Sequence, residues 1–461
     1  MKQLLLFISA LLFSTLFFEK SIGLNLFLFS CLTLVILFIN NRNNYKKSKT
    51  ILYSGIYLAT GLAVFFHDSS LAIIANVVAF FTLIGLLSQI KSSIYIKWLN
   101  GLYTTIAGLF HRNFSVNETT QKVESKNDVD YLHLTKIILI PTVIVIIFIG
   151  LYQNGNPIFN DLIDKIAFSF VNIQWVMFAG LGYYLFSNIH QPIEVEPATE
   201  ADLRTDNILN KTEDFSIPKL KQENQLGIIL ISLLNVLIVI FLITDITFII
   251  TNLDIRASVF SNQVHSGINA LIASIIIAIV ILLYVFRGNL NFYKDNKTVK
   301  NLAFTWIVLN ALLVLSIAVK NSQYIYYFGL TYKRIGVMVY LILTLTGLIT
   351  TLLKIDKIKN IWFLFRINTK AAFIVLVVSA MVNWDYHITN YNFNAAKSMD
   401  FKYLIELSNN NTLLLKEQIE KKELDQDSVD QIEEKYYKYV IELTNNSWQE
   451  LQYDNFKLDS Q

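Results

Sequence analysis

The sequence predicts an all-α fold, a polytopic integral membrane helix bundle with a small C-terminal extramembrane helical domain, and three observations predict it. Of 461 residues, 54% are hydrophobic and 16% charged, where soluble domains carry about 25% charged residues. Apolar runs close to the roughly 20 residues that cross a bilayer as a helix recur along the chain with polar connections between them. Lys and Arg fall in clusters in every second connection rather than on one basic face, as topology signals do.

Eleven runs meet the pattern: 3–18, 22–39, 51–66, 71–90, 136–153, 168–188, 226–248, 267–286, 301–319, 335–353 and 361–382. The first follows Lys2 in the manner of a signal peptide. No small-x-small cleavage site follows it, however, and Glu19-Lys20 leads straight into the next run, so it reads as a retained helix. Alternate connections carry Arg42, Lys46, Lys47 and Lys49; Lys91, Lys97 and Arg112; Arg204, Lys211, Lys219 and Lys221; Arg287, Lys294, Lys297 and Lys300; and Lys354, Lys357, Lys359 and Arg366. Positive connections stay in the cytoplasm. The expectation is a multi-pass protein of the cytoplasmic (inner) membrane, with a cytoplasmic N-terminus and an extracytoplasmic C-terminus.

The domain reading follows. Residues 1–90 form an N-terminal four-helix transmembrane segment, and 91–135 a cytoplasmic linker. Within that linker "KSSIYIKWLNGLYTTIAGLFHRN" interleaves apolar and basic residues as an interfacial helix does; a short re-entry is the alternative. Residues 136–382 form a transmembrane core with a polar cytoplasmic loop at 189–225, and 383–461 an extracytoplasmic helical tail. In that tail Val429, Ile432, Tyr436, Tyr439 or Val440, and Leu443 recur at helical spacing.

A net charge of +3 with no basic face excludes nucleic-acid binding. A single cysteine, Cys31, excludes an intrachain disulfide. No GxxxxGK[ST], HExxH or GxSxG motif is present. Mid-helix ionisable groups, which mark transport paths, are nearly lacking, and Asn235 and Asn310 read as interhelical hydrogen-bonding amides. No cofactor is expected.

The candidate site is a polar cluster on the outer face. His67 with Asp68, His265 after Asp254, and His387 with Asp385 bring nitrogen and carboxylate ligands to outer loops. Such groups hold zinc or do acid/base work; the bland alternative is hydrogen bonding to loop backbone and head groups, and the metal is undetermined. Lys333 and Arg334 run against the positive-inside rule. Pairing with Asp385, Asp400 or Glu406 is expected to dock the tail on the membrane helices, with separate snorkelling of each cation as the alternative.

Four segments carry a family resemblance: "NPIF" at 156–159, "YFGLTYKRI" at 327–335, "FRINTKAAF" at 365–373, and "NWDYHITNYNFNAAKSMDFKYLIELS" at 383–408. Over roughly residues 130–461 the chain resembles the bacterial polytopic membrane family catalogued as domain of unknown function 4173, and its relative 4153. The most telling positions are Tyr391-Asn392, Asp400, Tyr403-Leu404 and Leu407-Ser408. In the family pattern an Arg precedes the Tyr-Asn pair, and Asn390 stands there instead, so no role passes to it. The resemblance implies an integral membrane protein and no mechanism. Three functions remain: a non-enzymatic envelope sensor or scaffold with the bilayer and an envelope protein as partners; a permease for a small or lipid-like molecule; and a membrane-embedded metal-dependent enzyme.

Overall fold

The computed structural model describes residues 2–119, 141, 144–145, 148–149, 151–153, 155–159, 172–213, 216–251, 257–421 and 424–458. These residues are helical apart from turns, connections and one isolated antiparallel bridge, Ile208 to Lys359. The helices are α1 (Lys2–Phe17), α2 (Leu24–Asn40), α3 (Ser48–Phe66), α4 (Ser70–Ser88), α5 (Ile94–Thr119), α6 (Ile173–Ile189), α7 (Glu196–Arg204), α8 (Ile217–Thr251) and α9 (Ala257–Val285). They continue with α10 (Lys297–Phe328), α11 (Tyr332–Asp356), α12 (Ile361–Ala380), α13 (Trp384–Asn394), α14 (Phe401–Glu406), α15 (Thr412–Lys421), α16 (Gln426–Asn445) and α17 (Tyr453–Leu458).

Among the described residues, six helices are long and apolar enough to cross a membrane: α3, α4, α8, α10, α11 and α12. Shorter apolar helices cover Gln3–Phe17, Leu24–Asn40 and Asn269–Val285. The expected span at 136–153 lies largely outside the described residues, and the eleven expected spans reduce here to six that meet the length and hydropathy requirement. Side chains at the helix starts supply the missing acceptors for first-turn N–H groups. Ser69 accepts from Ala72 N (3.2 Å), and Asn360 from Phe363 N (3.1 Å).

Two large apolar cores hold the described part of the bundle, with a smaller cluster around Leu26, Ala63, Val64 and Ala72 beside the second. One joins α8 to α11 around Ile231, Ile275, Leu282, Trp306, Ile317 and Leu348; the other joins α1 to α4 and α6 around Ile36, Leu37, Tyr57, Leu83 and Phe186. Among the described residues α6 packs with the N-terminal helices, though the sequence reading groups it with the 136–382 segment. Phe13 of α1 stacks on Phe178 at 6.0 Å, and Ser14 Oγ donates to Trp175 O at 2.7 Å. α12 ties the halves together, packing on α11 on one side and on α3, α4 and α5 on the other. Leu233, Val236, Leu237 and Ile240 of α8 leave its surface apolar and exposed, which suits contact with lipid tails.

α5 crosses the end of α4 at close range. A side chain at Gly85 would run into the Lys97 backbone and one at Gly101 into the Phe81 backbone, so the two helices touch main chain to main chain. Trp98 Nε1 donates to Thr82 Oγ1 at 2.8 Å across the same contact. The polar face of α5, with Asn100, Thr104 and Arg112, binds the 187–199 segment, while Leu99, Leu102, Ile106 and Phe110 form an exposed apolar stripe. Gly85→Ala or Gly101→Ala is expected to cost about 1–3 kcal/mol through overpacking, read as a lower melting temperature in detergent. Gly55→Ala, with nothing near its new methyl, leaves the melting temperature unchanged or raises it.

Candidate functional site

The connections sort onto two faces. On one, Asn41 Nδ2 reaches His190 O (3.2 Å), Asn44 Nδ2 reaches Leu87 O (3.2 Å), Ser93 N donates to Asp202 (2.7 Å), Asn289 pairs with Thr212, and Asn360 Nδ2 donates to Asp206 O (2.8 Å). These are the Lys- and Arg-rich connections. On the other face, α13 to α17 lie over the α1–α2, α3–α4 and α10–α11 turns and the exit of α12. We call it the tail face.

At its centre Asp385, 3% exposed, accepts hydrogen bonds from Tyr332 OH (2.6 Å) and from the Ser408 hydroxyl. Asn383 starts α13 by accepting from Tyr386 N at 3.0 Å, which sets Asp385 in the first turn, where the helix dipole favours a carboxylate. His67, the residue that ends α3, stands alongside with Nε2 3.0 Å from Ala380 O, a contact that requires the proton on Nε2. Burial pushes its imidazole below the ordinary histidine range. Asp68 is pushed up by burial and by the charge of Glu442. Its backbone carbonyl accepts from Asn410 Nδ2 at 2.9 Å. His67, Asp68, Tyr332, Asp385, Ser408 and Asn410 line a cavity of about 340 Å³. The Asp385 carboxylate is held there by two hydroxyls, one from α11 and one from the tail, and so ties the two segments together.

The α10–α11 turn is clamped from the tail. Asn392 donates through Nδ2 to Leu330 O at 3.0 Å and accepts through Oδ1 from Leu330 N, so one side-chain amide satisfies both backbone groups of the turn. Gly329 makes this possible: its φ is +84°, and a Cβ there would run into Asn392 Oδ1. Tyr332 N, unpaired within its own helix start, donates to Tyr403 OH at 2.9 Å, and Asp400 orients Tyr403 by capping α14 through Tyr403 N at 3.1 Å. Burial raises the Tyr403 phenol above its usual range, which keeps it neutral.

A second attachment lies at the α1–α2 turn. Leu24 N donates to Leu451 O (2.9 Å) and Asn25 N to Gln449 O (2.8 Å), so the tail supplies acceptors for the start of α2. Gly23 leaves room for the Glu450 carbonyl. The Glu450 carboxylate accepts from Ser21 N (2.8 Å), Ser447 N (3.0 Å) and Lys20 Nζ (3.4 Å). Burial raises this group, but these donors outweigh it and hold the carboxyl down at about 2.

The expected constellation is only partly assembled. His67, Asp68 and Asp385 come together; His387 is exposed, edge-on to Tyr386. Asp254 and the side chain of His265 lie outside the described residues. Among the described residues no group of three or more His, Cys, Asp or Glu side chains is placed to hold a metal ion. Among the described residues Arg334 pairs with no acid, where pairing and separate snorkelling are the two expectations. It donates to the carbonyls of Phe328 (2.8 Å) and Gly329, closing the end of α10, and lies 4.1 Å over the Tyr324 ring. Lys333 is exposed, and Tyr391 contributes its carbonyl to the end of α13 (Ala395 N, 2.8 Å).

The expected polar cluster does not include Tyr332, Ser408 or Glu450, whose partners lie 53, 23 and more than 400 residues away, although the first two fall in the family-like segments. The expected span 301–319 stops just short of Lys320. α10 continues past it to Phe328, and Lys320 forms a buried ion pair with Asp245 of α8, which also accepts from the Ser316 hydroxyl.

The fold and these contacts define a helical protein with several membrane-capable helices and a tail anchored across one face. The chain belongs to the family described as a domain of unknown function (DUF4153), whose model matches residues 4–418. That match is to the relative 4153 and does not show the 4173 group; it takes in α1 to α4, which the sequence resemblance left out, and stops within α15. No curated protein matches the chain, and no solved structure does.

The Glu450 carboxyl gives a pH test. Its folded value lies below the ordinary 4.5, so its contribution is present above pH 4.5 and is lost as pH falls from there toward about 2. Glu450→Gln is expected to cost about 1.5–3 kcal/mol near pH 7. Melting curves of the two proteins should converge on acidification; parallel curves would remove Glu450 from the attachment.

Proposed function

We propose that the chain is a non-enzymatic membrane protein, an envelope sensor or scaffold whose tail is presented outside the cytoplasm. The observation that carries this reading is the attachment of the tail to separate turns of the bundle by polar groups, two of them buried and two half-buried: Asn392 at Leu330, Asp385 at Tyr332, Asn410 at Asp68 and Glu450 at Ser21. A tail held at several helix ends moves with them, so an event on its surface is coupled to both halves of the bundle. Tyr437, Ile441 and Trp448 keep large exposed side chains on that surface, a composition that suits a protein partner.

Eleven spans remain our count, with 136–153 as one of them. Arg112 of α5 binds the last carbonyls of α6 on the basic face, while α6 begins beside Ser14, near the tail-face end of α1. With the basic connections in the cytoplasm, the tail is outside.

A permease is the second reading, favoured by one observation: the Asp245–Lys320 ion pair buried between α8 and α10. Solute flux in proteoliposomes that Lys320→Met abolishes would select it.

Cysteines at Lys402 and Asp430, both exposed, in a Cys31→Ser background test the arrangement. An impermeant thiol reagent is expected to label both in intact cells. Labelling only after the inner membrane is breached would put the tail in the cytoplasm and end the envelope reading.

A further inference from the structure

On the basic face the segment after α7 folds back over the α11–α12 turn. Leu209 N donates to Ile358 O (3.0 Å), Asn360 N to Asn207 O (3.3 Å), and Asn360 Nδ2 to Ile208 O (3.2 Å). Arg366 fixes the start of the segment, donating to the Asp202 carboxylate (3.0 Å), Asn207 Oδ1 (2.7 Å) and Thr205 O (2.8 Å). Ile358 is held at φ +48° in this turn, a conformation that β-branched residues adopt only when their surroundings enforce it.

This construction borders a half-open pocket of about 600 Å³ between the segment, the end of α9, the last turn of α11 and the start of α12. Arg204, Arg287 and Lys354 line it, with Asp206 as the one carboxylate and Leu283 and Trp362 among the apolar walls. Lys354 is 3% exposed, and its ammonium donates to Phe286 O at 2.8 Å. Among the described residues it forms no ion pair. The Asp206 carboxylate turns to its own backbone, accepting from Ile208 N at 3.0 Å. Arg287 lies over the Tyr284 ring at 4.0 Å and only loosely against Glu223, at 3.9 Å. α12 starts at the cavity with its N-terminus, which adds positive potential.

A buried ammonium without a counter-charge is costly, and Arg287 beside it, which donates Nη1 to Tyr284 O at 3.0 Å and meets Glu223 only at 3.9 Å, adds a guanidinium suited to the oxygens of a phosphate. Trp362 and Tyr284, both exposed, stand where an aromatic belt meets lipid head groups. We propose that this cavity binds a phosphate-bearing anion, supplied as the head group of an anionic phospholipid. Lys354 neutralises the phosphate from below, Arg287 clamps it from the rim, and the acyl chains run down the apolar surface beside Trp362. Basic pockets between membrane helices suit this class of ligand.

The test uses the purified full-length protein in neutral detergent, with dissociation constants measured for dioleoyl phosphatidylglycerol, dioleoyl phosphatidylcholine and sn-glycerol 1-phosphate. Phosphatidylglycerol is expected to bind at least about tenfold more tightly than phosphatidylcholine, and Arg287→Gln and Lys354→Gln each to remove that preference. If glycerol phosphate competes on equal terms, the phosphate chemistry stands and its source is a soluble compound; if it does not compete, the source is lipid. Equal binding of the two lipids, or a preference unchanged in Arg287→Gln, overturns the proposal. Arg287 is half-exposed, so that variant decides the question even if Lys354→Gln does not fold.

Discussion

Every apolar helix ends in backbone groups that its own hydrogen bonds cannot satisfy, and in a bundle with little water at hand other segments must supply the partners. Much of this structure follows from that constraint. Cations close the carbonyl ends: Arg112 on Ser187, Asn188 and Gln191 after α6, Arg334 on Phe328 and Gly329 after α10, Lys354 on Phe286 after α9, and Lys435 on Ile405, Leu407 and Ser408 after α14. A positive charge is favoured at each of these places by the helix dipole as well as by the hydrogen bonds. At the opposite ends the donors are met by Asn25, Ser69, Thr331, Asn360 and by the tail carbonyls of Gln449 and Leu451.

This explains the cations that break the positive-inside pattern. Arg334 needs no carboxylate, because the end of α10 and the Tyr324 ring already stabilise its charge. Lys435 is buried enough that its ammonium falls to about 8, yet four oxygens surround it, one of them Asn411 Oδ1. The tail is consequently a continuation of the bundle. Its apolar cluster, around Ile388, Phe393, Leu404, Leu415 and Ile432, includes Ile335 from the first turn of α11.

The helical class and most helix positions were legible because apolar length and composition are local properties. So was the sorting of connections onto two faces, since it depends only on Lys and Arg counts between helices. The Asn392 position stood out through the family-like Tyr-Asn pair, although not its partner Leu330. What stayed hidden depends on contacts between distant segments. Nothing near Glu450 indicates that it meets Ser21, and nothing near Asp245 indicates that α10 brings Lys320 to it. His387 does not join His67 and Asp385 because residues two apart on a helix face different ways: in α13 Asp385 points inward and His387 outward. The contacts of α6 with α1, α2 and α5 were not legible because hydropathy marks a helix and is silent about which helix it meets.

Hydrogen exchange at single-residue resolution on the full-length protein tests most directly whether the tail completes the helix ends. The account predicts that the amides of Leu24, Asn25, Leu330 and Tyr332, all outside ordinary intrahelical pairing, exchange as slowly as amides in the middle of α4 or α10. Exchange at the rate of exposed loop amides would contradict it, leaving the tail and the bundle as separate bodies.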